Sequence, residues 1–364
     1  MSNLSCGIVG LPNVGKSTLF NALTKKGAQA ANYPFCTIEP NVGIVPLEDS
    51  RLGVLSKLSK SKQIIPAQVT FVDIAGLVKG ASQGEGLGNQ FLANIRETDA
   101  IVHVVRCFDD PNIIHVSGKI NPIDDIEIIN TELVLSDLQM IENVIARLEK
   151  QLKSKKELQT TVDTLKKIFE ALNQGLPARS VDLTDEEKES IKIYPMITSK
   201  KVLYACNVDE EALATLSNSY VEQVKEYAKK EKSSVIVLCA KLEEELAQLD
   251  KQEAQEFLAS LGLEDTGLNR LIKESFKILG LITFLTTGDI ETRAWTVHAN
   301  AKAPVAAGKI HSDIEKGFIR AEVVSFNDFV TCGTRAHAKD QGKARMEGKE
   351  YLVQDGDVIL FYHN

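Results

Sequence analysis

The sequence predicts an α/β fold: a doubly wound, mostly parallel sheet, interrupted by an inserted antiparallel helical hairpin and followed by a smaller α+β module. Three observations carry this. Short continuous apolar runs alternate with helical patterns in the first part of the chain, as parallel strands covered on both faces require. Two apolar heptad stripes follow one another between residues 123 and 200. After Leu281, four strand-like runs surround one helical stretch. The expected limits are 1–122 with 201–280 for the α/β part, 123–200 for the hairpin and 281–364 for the terminal module.

Leu4–Val9 is an apolar strand that runs into Gly10 and then a helix over Lys16–Lys25. Further strands are expected at Gln68–Val72, Ala100–Val105, Val202–Cys206 and Ser234–Leu238, with helices over Gly88–Glu97 and Asn218–Lys230. In the insertion, Val134, Leu138, Ile141, Ile145, Leu148 and Leu152 recur at alternating spacings of three and four. Leu158, Val162, Leu165, Phe169 and Leu172 repeat the pattern until Gly175-Leu176-Pro177 stops it. So short a link between two such helices makes them pack antiparallel; the alternative is two amphipathic helices lying flat on the main core. The terminal strands are Leu281–Thr286, Arg293–Val297, Phe318–Val324 and Val358–Tyr362, around a helix at Pro304–Ile310.

Composition excludes several classes. With 43% hydrophobic and 25% charged residues among 364, the chain is neither fibrous nor largely disordered. No apolar run reaches membrane-span length, and Met1–Cys6 lacks the basic region of a signal peptide. Six cysteines without a Cys-x-x-Cys pair read as free thiols of a cytoplasmic protein. A net charge of −8 and a pI of about 5.5 argue against coating nucleic acid by charge alone, and no DNA or membrane partner is expected.

Gly10-Leu11-Pro12-Asn13-Val14-Gly15-Lys16-Ser17 fits the phosphate-binding pattern G-x-x-x-x-G-K-S in its required context, after a strand and before a helix. The backbone from Asn13 through Val14, Gly15, Lys16, Ser17 and Thr18 is expected around the phosphates. Lys16 reaches the β- and γ-phosphates, and the Ser17 hydroxyl is a Mg²⁺ ligand. Asp73-Ile74-Ala75-Gly76 ends the next strong strand, which places Asp73 to hold Mg²⁺ and the Gly76 N–H to meet the γ-phosphate. Between the two motifs, Thr37 is the hydroxyl that closes on the metal when the γ-phosphate is present.

The strings GLPNVGKS, YPFCTIEPNVG, DIAGLVKGAS and GEGLGNQFL together resemble the P-loop switch NTPases, and within them the Obg-related group, most closely the YchF or Obg-like ATPase family. The hairpin is similar to that family's inserted coiled coil. The end, with RAWTV, AAGKIHSDIEKGFIRAEV and DGDVILF, resembles a ubiquitin-like (β-grasp) TGS module. The resemblance implies a Mg²⁺-dependent ATPase that acts as a slow nucleotide-gated switch and associates with ribosomes. The competing class is an Obg-type GTPase acting in ribosome assembly.

Base choice separates the two. Where GTPases of this class carry Asn-Lys-x-Asp, this chain has Asn207-Val208-Asp209-Glu210. Moving the terminal carboxylate by a methylene compromises its paired hydrogen bonds to guanine, whereas Asn207 can accept from adenine N6 and donate to N7. Asp209 leaves a register ambiguity. By the resemblance, Val208 and Phe108 flank the adenine ring; Phe108 otherwise reads as a core aromatic. Cys239 and Ala240, ahead of Lys241, are expected to close the base pocket through backbone N–H groups.

Leu77 occupies the position of the water-orienting glutamine, so turnover is expected to be slow. Two residues are read as catalytic besides Lys16: Asn13, which matches enzymes that hold K⁺ beside the phosphates, and His115, a loop imidazole placed to orient water. Each has a plain alternative, a turn-forming Asn and a structural His. Lys150, Lys153, Lys155 and Lys156 at the hairpin tip, and Arg335, Lys339, Lys343, Arg345 and Lys349, suggest contacts to ribosomal RNA phosphates; solvated charged faces are the alternative.

Overall fold

The computed structural model describes residues 4–29, 41–74, 87–113, 120–152 and 154–364. Cys36, Thr37, Gly76, Leu77, His115 and Lys153 lie outside the described residues. In chain order the elements begin β1 (Ser5–Val9), α1 (Lys16–Gln29), β2 (Val42–Pro46), α2 (Ser50–Ser59), β3 (Gln63–Ile65), β4 (Gln68–Asp73), α3 (Leu87–Glu97) and β5 (Ala100–Arg106). The insertion contributes α4 (Pro122–Leu152), α5 (Gln159–Asn173) and α6 (Asp185–Ser190). Next come β6 (Lys201–Asn207), α7 (Glu210–Leu213), α8 (Ser219–Lys230), β7 (Ser234–Leu238), α9 (Ala240–Leu246), α10 (Lys251–Ser260) and α11 (Gly267–Ile278). The last part holds β8 (Leu281–Thr287), β9 (Glu291–His298), α12 (Ala303–Ile310), α13 (Ser312–Lys316), β10 (Phe318–Ser325), α14 (Phe326–Cys332), α15 (Arg335–Asp340), β11 (Arg345–Glu347) and β12 (Asp357–His363).

The chain divides into two compact units. The first, built on Thr70–Leu271 with the N-terminal stretch, contains a sheet of strand order β2-β4-β1-β5-β6-β7. β1 pairs in parallel with β4 on one side and β5 on the other, and β5–β6 and β6–β7 are parallel too. Every residue of β5 is buried, which is why its sequence is a continuous apolar run broken only by His103 and the terminal Arg106. Because the chain leaves β1 towards β4 and then crosses to β5, the strand order reverses at β1. In such sheets the ligand crevice opens at the carboxyl ends of the strands beside that reversal.

The insertion forms a helical hairpin. Its 31-residue first helix, α4, buries Ile126, Ile129 and Leu133, then continues into a core shared with α5. Val134, Ile141, Leu148, Val162, Leu165, Ile168 and Leu172 make that core, so the heptad positions read from sequence face one another. The hairpin base is fastened to α3. The Asp137 carboxylate, fully buried, accepts from the N–H groups of Ile197 and Thr198 (3.1 and 2.7 Å) and from the Thr198 hydroxyl (2.7 Å). Arg96 of α3 donates to Ser136 Oγ at 2.9 Å. The Lys200 ammonium donates to the carbonyls of Ile95 (2.6 Å), Arg96 (2.8 Å) and Thr98, satisfying orphan acceptors at the end of α3.

The second unit is built chiefly on Ile44–Val69 and Ile272–Asn364, with strand order β11-β10-β12-β8-β9-β3. Sequence reading groups residues 44–69 with the α/β part. The structure differs because β3 pairs with β9 (Gln63 opposite Glu291) and Arg51 of α2 bonds Asp355 (2.8 Å) and Thr283 Oγ1 (2.9 Å). Phe284, Val297, Ala321, Val323 and Ile359 pack against the alanines Ala303, Ala306 and Ala307 of α12, whose small side chains let the helix sit close to the sheet. Sequence periodicity missed α13, α14, α15 and β11, elements of three to seven residues, too short for a repeat to show.

Candidate nucleotide-binding site

The glycine turn after β1 is shaped by two crowded positions. A Cβ on Gly10 would lie 2.8 Å from Val14 Cγ2 and 2.9 Å from the Val104 carbonyl; one on Gly15 would lie 2.2 Å from Asn207 Nδ2. Gly15 (φ +92°) and Asn13 (φ 63°) adopt left-handed backbone, which curls the turn. Helix α1 opens at Lys16, and Leu19 N–H donates to the Gly15 carbonyl at 3.0 Å. The N–H groups of Lys16, Ser17 and Thr18 therefore have no acceptor within the helix, and they point to where an anion would sit. Buried Val14, Leu19 and Leu23 anchor this helix to the core.

The Lys16 ammonium pairs with the Asp73 carboxylate at the end of β4; the two side chains, 57 positions apart, are 10% and 18% exposed. Ser17, next to Lys16 in the chain, is exposed. One hydroxyl and one carboxylate are hard oxygen donors of the kind that Mg²⁺ combines with waters and substrate phosphates, so the residues present fit that ion.

The other edge of the site is built at the ends of β5, β6 and β7. Asn207, buried at the end of β6, donates through Nδ2 to the Val14 carbonyl (2.9 Å) and accepts at Oδ1 from the Ala240 N–H (2.9 Å). Its own carbonyl accepts from Cys107 N–H at 2.8 Å. One side chain thus ties the glycine turn to the start of α9. Sequence reading gives both ends of this carboxamide to adenine; in the structure each end already makes a protein bond, leaving one N–H and one lone pair for a ligand. Val208 is 2% exposed and donates its N–H to Leu238. Asp209 caps α7, its Oδ1 accepting from Ala212 N–H at 3.0 Å, so one oxygen of that carboxylate is used in the fold. Glu210 is exposed and lies 3.6 Å from the Lys241 ammonium. Cys239 is buried, and burial pushes its thiol above the usual range.

Two buried groups escaped sequence reading. Arg106, only 1% exposed, donates to the carbonyls of Phe108 (3.2 Å), Asp110 (3.2 Å) and Ile113 (3.0 Å), and its guanidinium lies 4.7 Å from the centroid of the half-buried Phe108 ring. His103 is buried inside β5, 5.6 Å from the Tyr204 ring; burial first, and Arg179 second, pull its pKa down to about 3, so it is neutral. Both are charged or titratable residues inside apolar runs, and nothing in the spacing of such a run distinguishes their role.

The basic residues separate into two kinds. Lys150, Lys155 and Lys156 at the hairpin tip are exposed and have no acidic partner among the described residues. In the terminal unit, Arg335 is held by buried Glu322 (3.4 Å), Lys343 by Asp328 (3.2 Å) and Arg345 by Glu347 (3.7 Å). Lys339 and Lys349 are exposed, and neither is paired with a carboxylate among the described residues. The segment 335–349 is therefore not a run of five available cations, because the carboxylates of its own unit neutralise three.

Comparison with known proteins follows this geometry. A family model described as a 50S ribosome-binding GTPase matches residues 5–143, and one named YchF-GTPase_C, described as a protein of unknown function, matches 281–364. The ribosome-binding ATPase YchF of Escherichia coli O157:H7 is 54% identical over 360 residues, 99% of each chain. That of Bacillus subtilis (strain 168) is 54% identical over 363 residues, again 99% of both. The chain belongs to the YchF family. The YchF resemblance read from the motifs is therefore correct. Among solved structures, the Schizosaccharomyces pombe YchF GTPase matches with a TM-score of 0.89 at 37% identity, covering 100% of this chain and 98% of that one. A GTP-binding protein from Pyrococcus horikoshii OT3 (TM-score 0.62, 19% identity, 99% and 100% covered) shares the fold. The α/β P-loop architecture expected from sequence is that of the YchF family.

Proposed function

We propose that this YchF-family chain is an ATPase that hydrolyses the β–γ anhydride of ATP to ADP and phosphate, and that it works as a slow nucleotide-gated switch on the ribosome. The relatives named ribosome-binding ATPase, 54% identical over nearly all of both chains, support both halves of the reading. The observation that carries the chemistry is the meeting of Lys16 and Asp73 at the mouth of a turn that only glycine can form.

Nucleotide entry separates that pair. Lys16 turns to the β- and γ-phosphates, where its charge opposes the negative charge of the transferring group, while the N–H groups of residues 14–18 hold the remaining oxygens. Asp73, released, joins Ser17 and Thr37 as the residues that hold Mg²⁺. The ion, when bound, would supply positive charge that offsets that of the phosphates. Gly76 N–H meets the γ-phosphate, and His115 orients the attacking water in place of the glutamine that Leu77 replaces. Asn13, in left-handed backbone beside the phosphates, takes K⁺. Exchange of K⁺ for Na⁺ is expected to slow hydrolysis; an unchanged rate removes that ion from the scheme.

The purine lies against Phe108, Val208 and the spare N–H of Asn207, with Cys239 and Ala240 behind it. The relatives are named both ATPase and GTPase, so the decisive test is competition of ATP and GTP against a fluorescent nucleotide. Tighter ATP is expected. Tighter GTP returns the chain to the Obg-type GTPase reading, with ribosome assembly as its setting; binding of neither removes the nucleotide site. Contact with ribosomal RNA phosphates is assigned to Lys150, Lys153, Lys155 and Lys156 and, in segment 335–349, chiefly to Lys339 and Lys349. Affinity for ribosomes should fall steeply with salt. The place of action is the cytoplasm.

A further inference from the structure

We infer that Arg106 is a positioning residue for the nucleotide base: buried beneath the loop that follows β5, it sets the Phe108 ring as a fixed platform on which the purine stacks. The inference rests on the reading that Phe108 flanks the base, and it adds what holds that ring in place.

A buried guanidinium is costly unless its donors are satisfied and its charge has a counterpart. All three guanidinium nitrogens of Arg106 donate to backbone, to three carbonyls of one loop at Phe108, Asp110 and Ile113. The π-face of Phe108, 4.7 Å away, supplies favourable electrostatics of the cation–π kind. Three bonds to the stretch from Phe108 to Ile113 constrain that stretch more than they tie it to the rest of the protein. The loop is further pinned from α8: Asn218 Nδ2 donates to the Cys107 carbonyl at 2.7 Å, and the Tyr220 hydroxyl to Asp109 Oδ2 at 3.0 Å.

Location gives this rigidity its purpose. Arg106 is the strand partner of Asn207, and Cys107 N–H donates to the Asn207 carbonyl at 2.8 Å, so the loop starts beside the residue that braces the glycine turn. Arg106 occupies one face of the Phe108 ring, which remains half-buried, and the purine takes the other face. An aromatic ring held in advance loses little entropy when the base arrives, so more of the stacking energy appears as affinity.

The test compares Mg·ATP with Mg·tripolyphosphate, which shares the phosphates and lacks the base, by titration calorimetry on the full chain. Arg106→Met is expected to weaken ATP by about tenfold, near the low end of one base–aromatic stack, and to leave tripolyphosphate within about twofold. KM for ATP should rise by the same factor, since base contacts serve ground and transition states alike. Phe108→Ala should give the same loss, and the double variant no more than either single one. If Arg106→Met weakens both ligands equally, or neither, while Phe108→Ala weakens ATP alone, the positioning role is wrong. If Phe108→Ala leaves ATP untouched, the base lies elsewhere and the parent reading fails first. Should Arg106→Met not fold, Arg106→Lys keeps the charge but cannot span three carbonyls. The same selective loss of ATP in the folded Lys variant supports the role, and wild-type affinity overturns it.

Discussion

The proposed phosphate end and the proposed base edge of the site share the carboxyl ends of one sheet, yet they are constructed in opposite ways. The phosphate end is a contiguous turn whose function lies in backbone geometry: two crowded glycines, left-handed Asn13 and Gly15, and the open N–H groups of α1. The base edge is assembled from residues far apart in the chain, Phe108, Asn207 and Ala240, and its geometry comes from buried side chains that bond backbone. Phosphate is the same in every nucleotide, so a local turn suffices. A base must be distinguished from its competitors, which takes surfaces from several elements and leaves several positions open to substitution.

The largest expected effect falls on the phosphate end. Lys16→Ala removes the side-chain charge proposed to face the transferring phosphate and should lower kcat by about 10²–10³ at saturating ATP, read in a phosphate-release assay. A modest loss would mean that the backbone cradle does most of the electrostatic work, and the contrast between the two ends would sharpen towards backbone.

Asn207→Ala strikes both ends together, because it frees the Val14 carbonyl and the Ala240 N–H at once. Each buried group left unsatisfied costs about 1–3 kcal/mol. Affinity for ATP and for tripolyphosphate should therefore fall together, and thermal unfolding should move to lower temperature. Loss of ATP binding alone would show that the carboxamide serves the base and not the brace.

How much of this was legible follows from the same contrast. Gly10 to Ser17, Asp73 and the alternation of apolar runs could be read directly, since a turn of fixed backbone shape and a strand buried on both faces each leave a local pattern. The two heptad stripes of α4 and α5 were legible for the same reason. The brace through Asn207, the seat under Phe108 and the Asp209 cap were not, because they depend on which strand ends meet. Nor was the placement of residues 44–69 in the second unit, which turns on a three-residue ladder between β3 and β9 and on the bonds of Arg51. The neutralised cations of segment 335–349 make the same point: a lysine-rich string shows charge, and only the fold shows the carboxylates beside it.

The base edge begins where β5 ends, and acid tests that strand. His103 is buried with a pKa near 3, against about 6.5 in an unfolded chain. Between those values the unfolded chain takes up a proton that the native state refuses. The group's contribution is thus fully present above about pH 6.5 and is lost as pH falls towards 3, by about 2 kcal/mol already at pH 5. In His103→Gln, the fall in denaturant-derived stability between pH 7 and 5 should be shallower than in wild type by about that amount. Equal slopes would mean that the imidazole is charged in the native state.

The smallest effect is expected where sequence reading placed the discriminating carboxylate. Recognition of guanine needs that carboxylate fixed and shielded from water, facing N1 and the 2-amino group. Glu210 is half-exposed, paired loosely with Lys241 at 3.6 Å, and it begins a four-residue helix capped by Asp209. Shortening it by one methylene restores the residue type without restoring the setting. Exposed pairs of this kind contribute about 0–1 kcal/mol, so Glu210→Asp should change the ratio of ATP to GTP affinity by less than about fivefold in competition titrations. A switch to GTP from that one substitution would mean that base choice is written in a single position, as local as the glycine turn, and the contrast between the two ends would be gone.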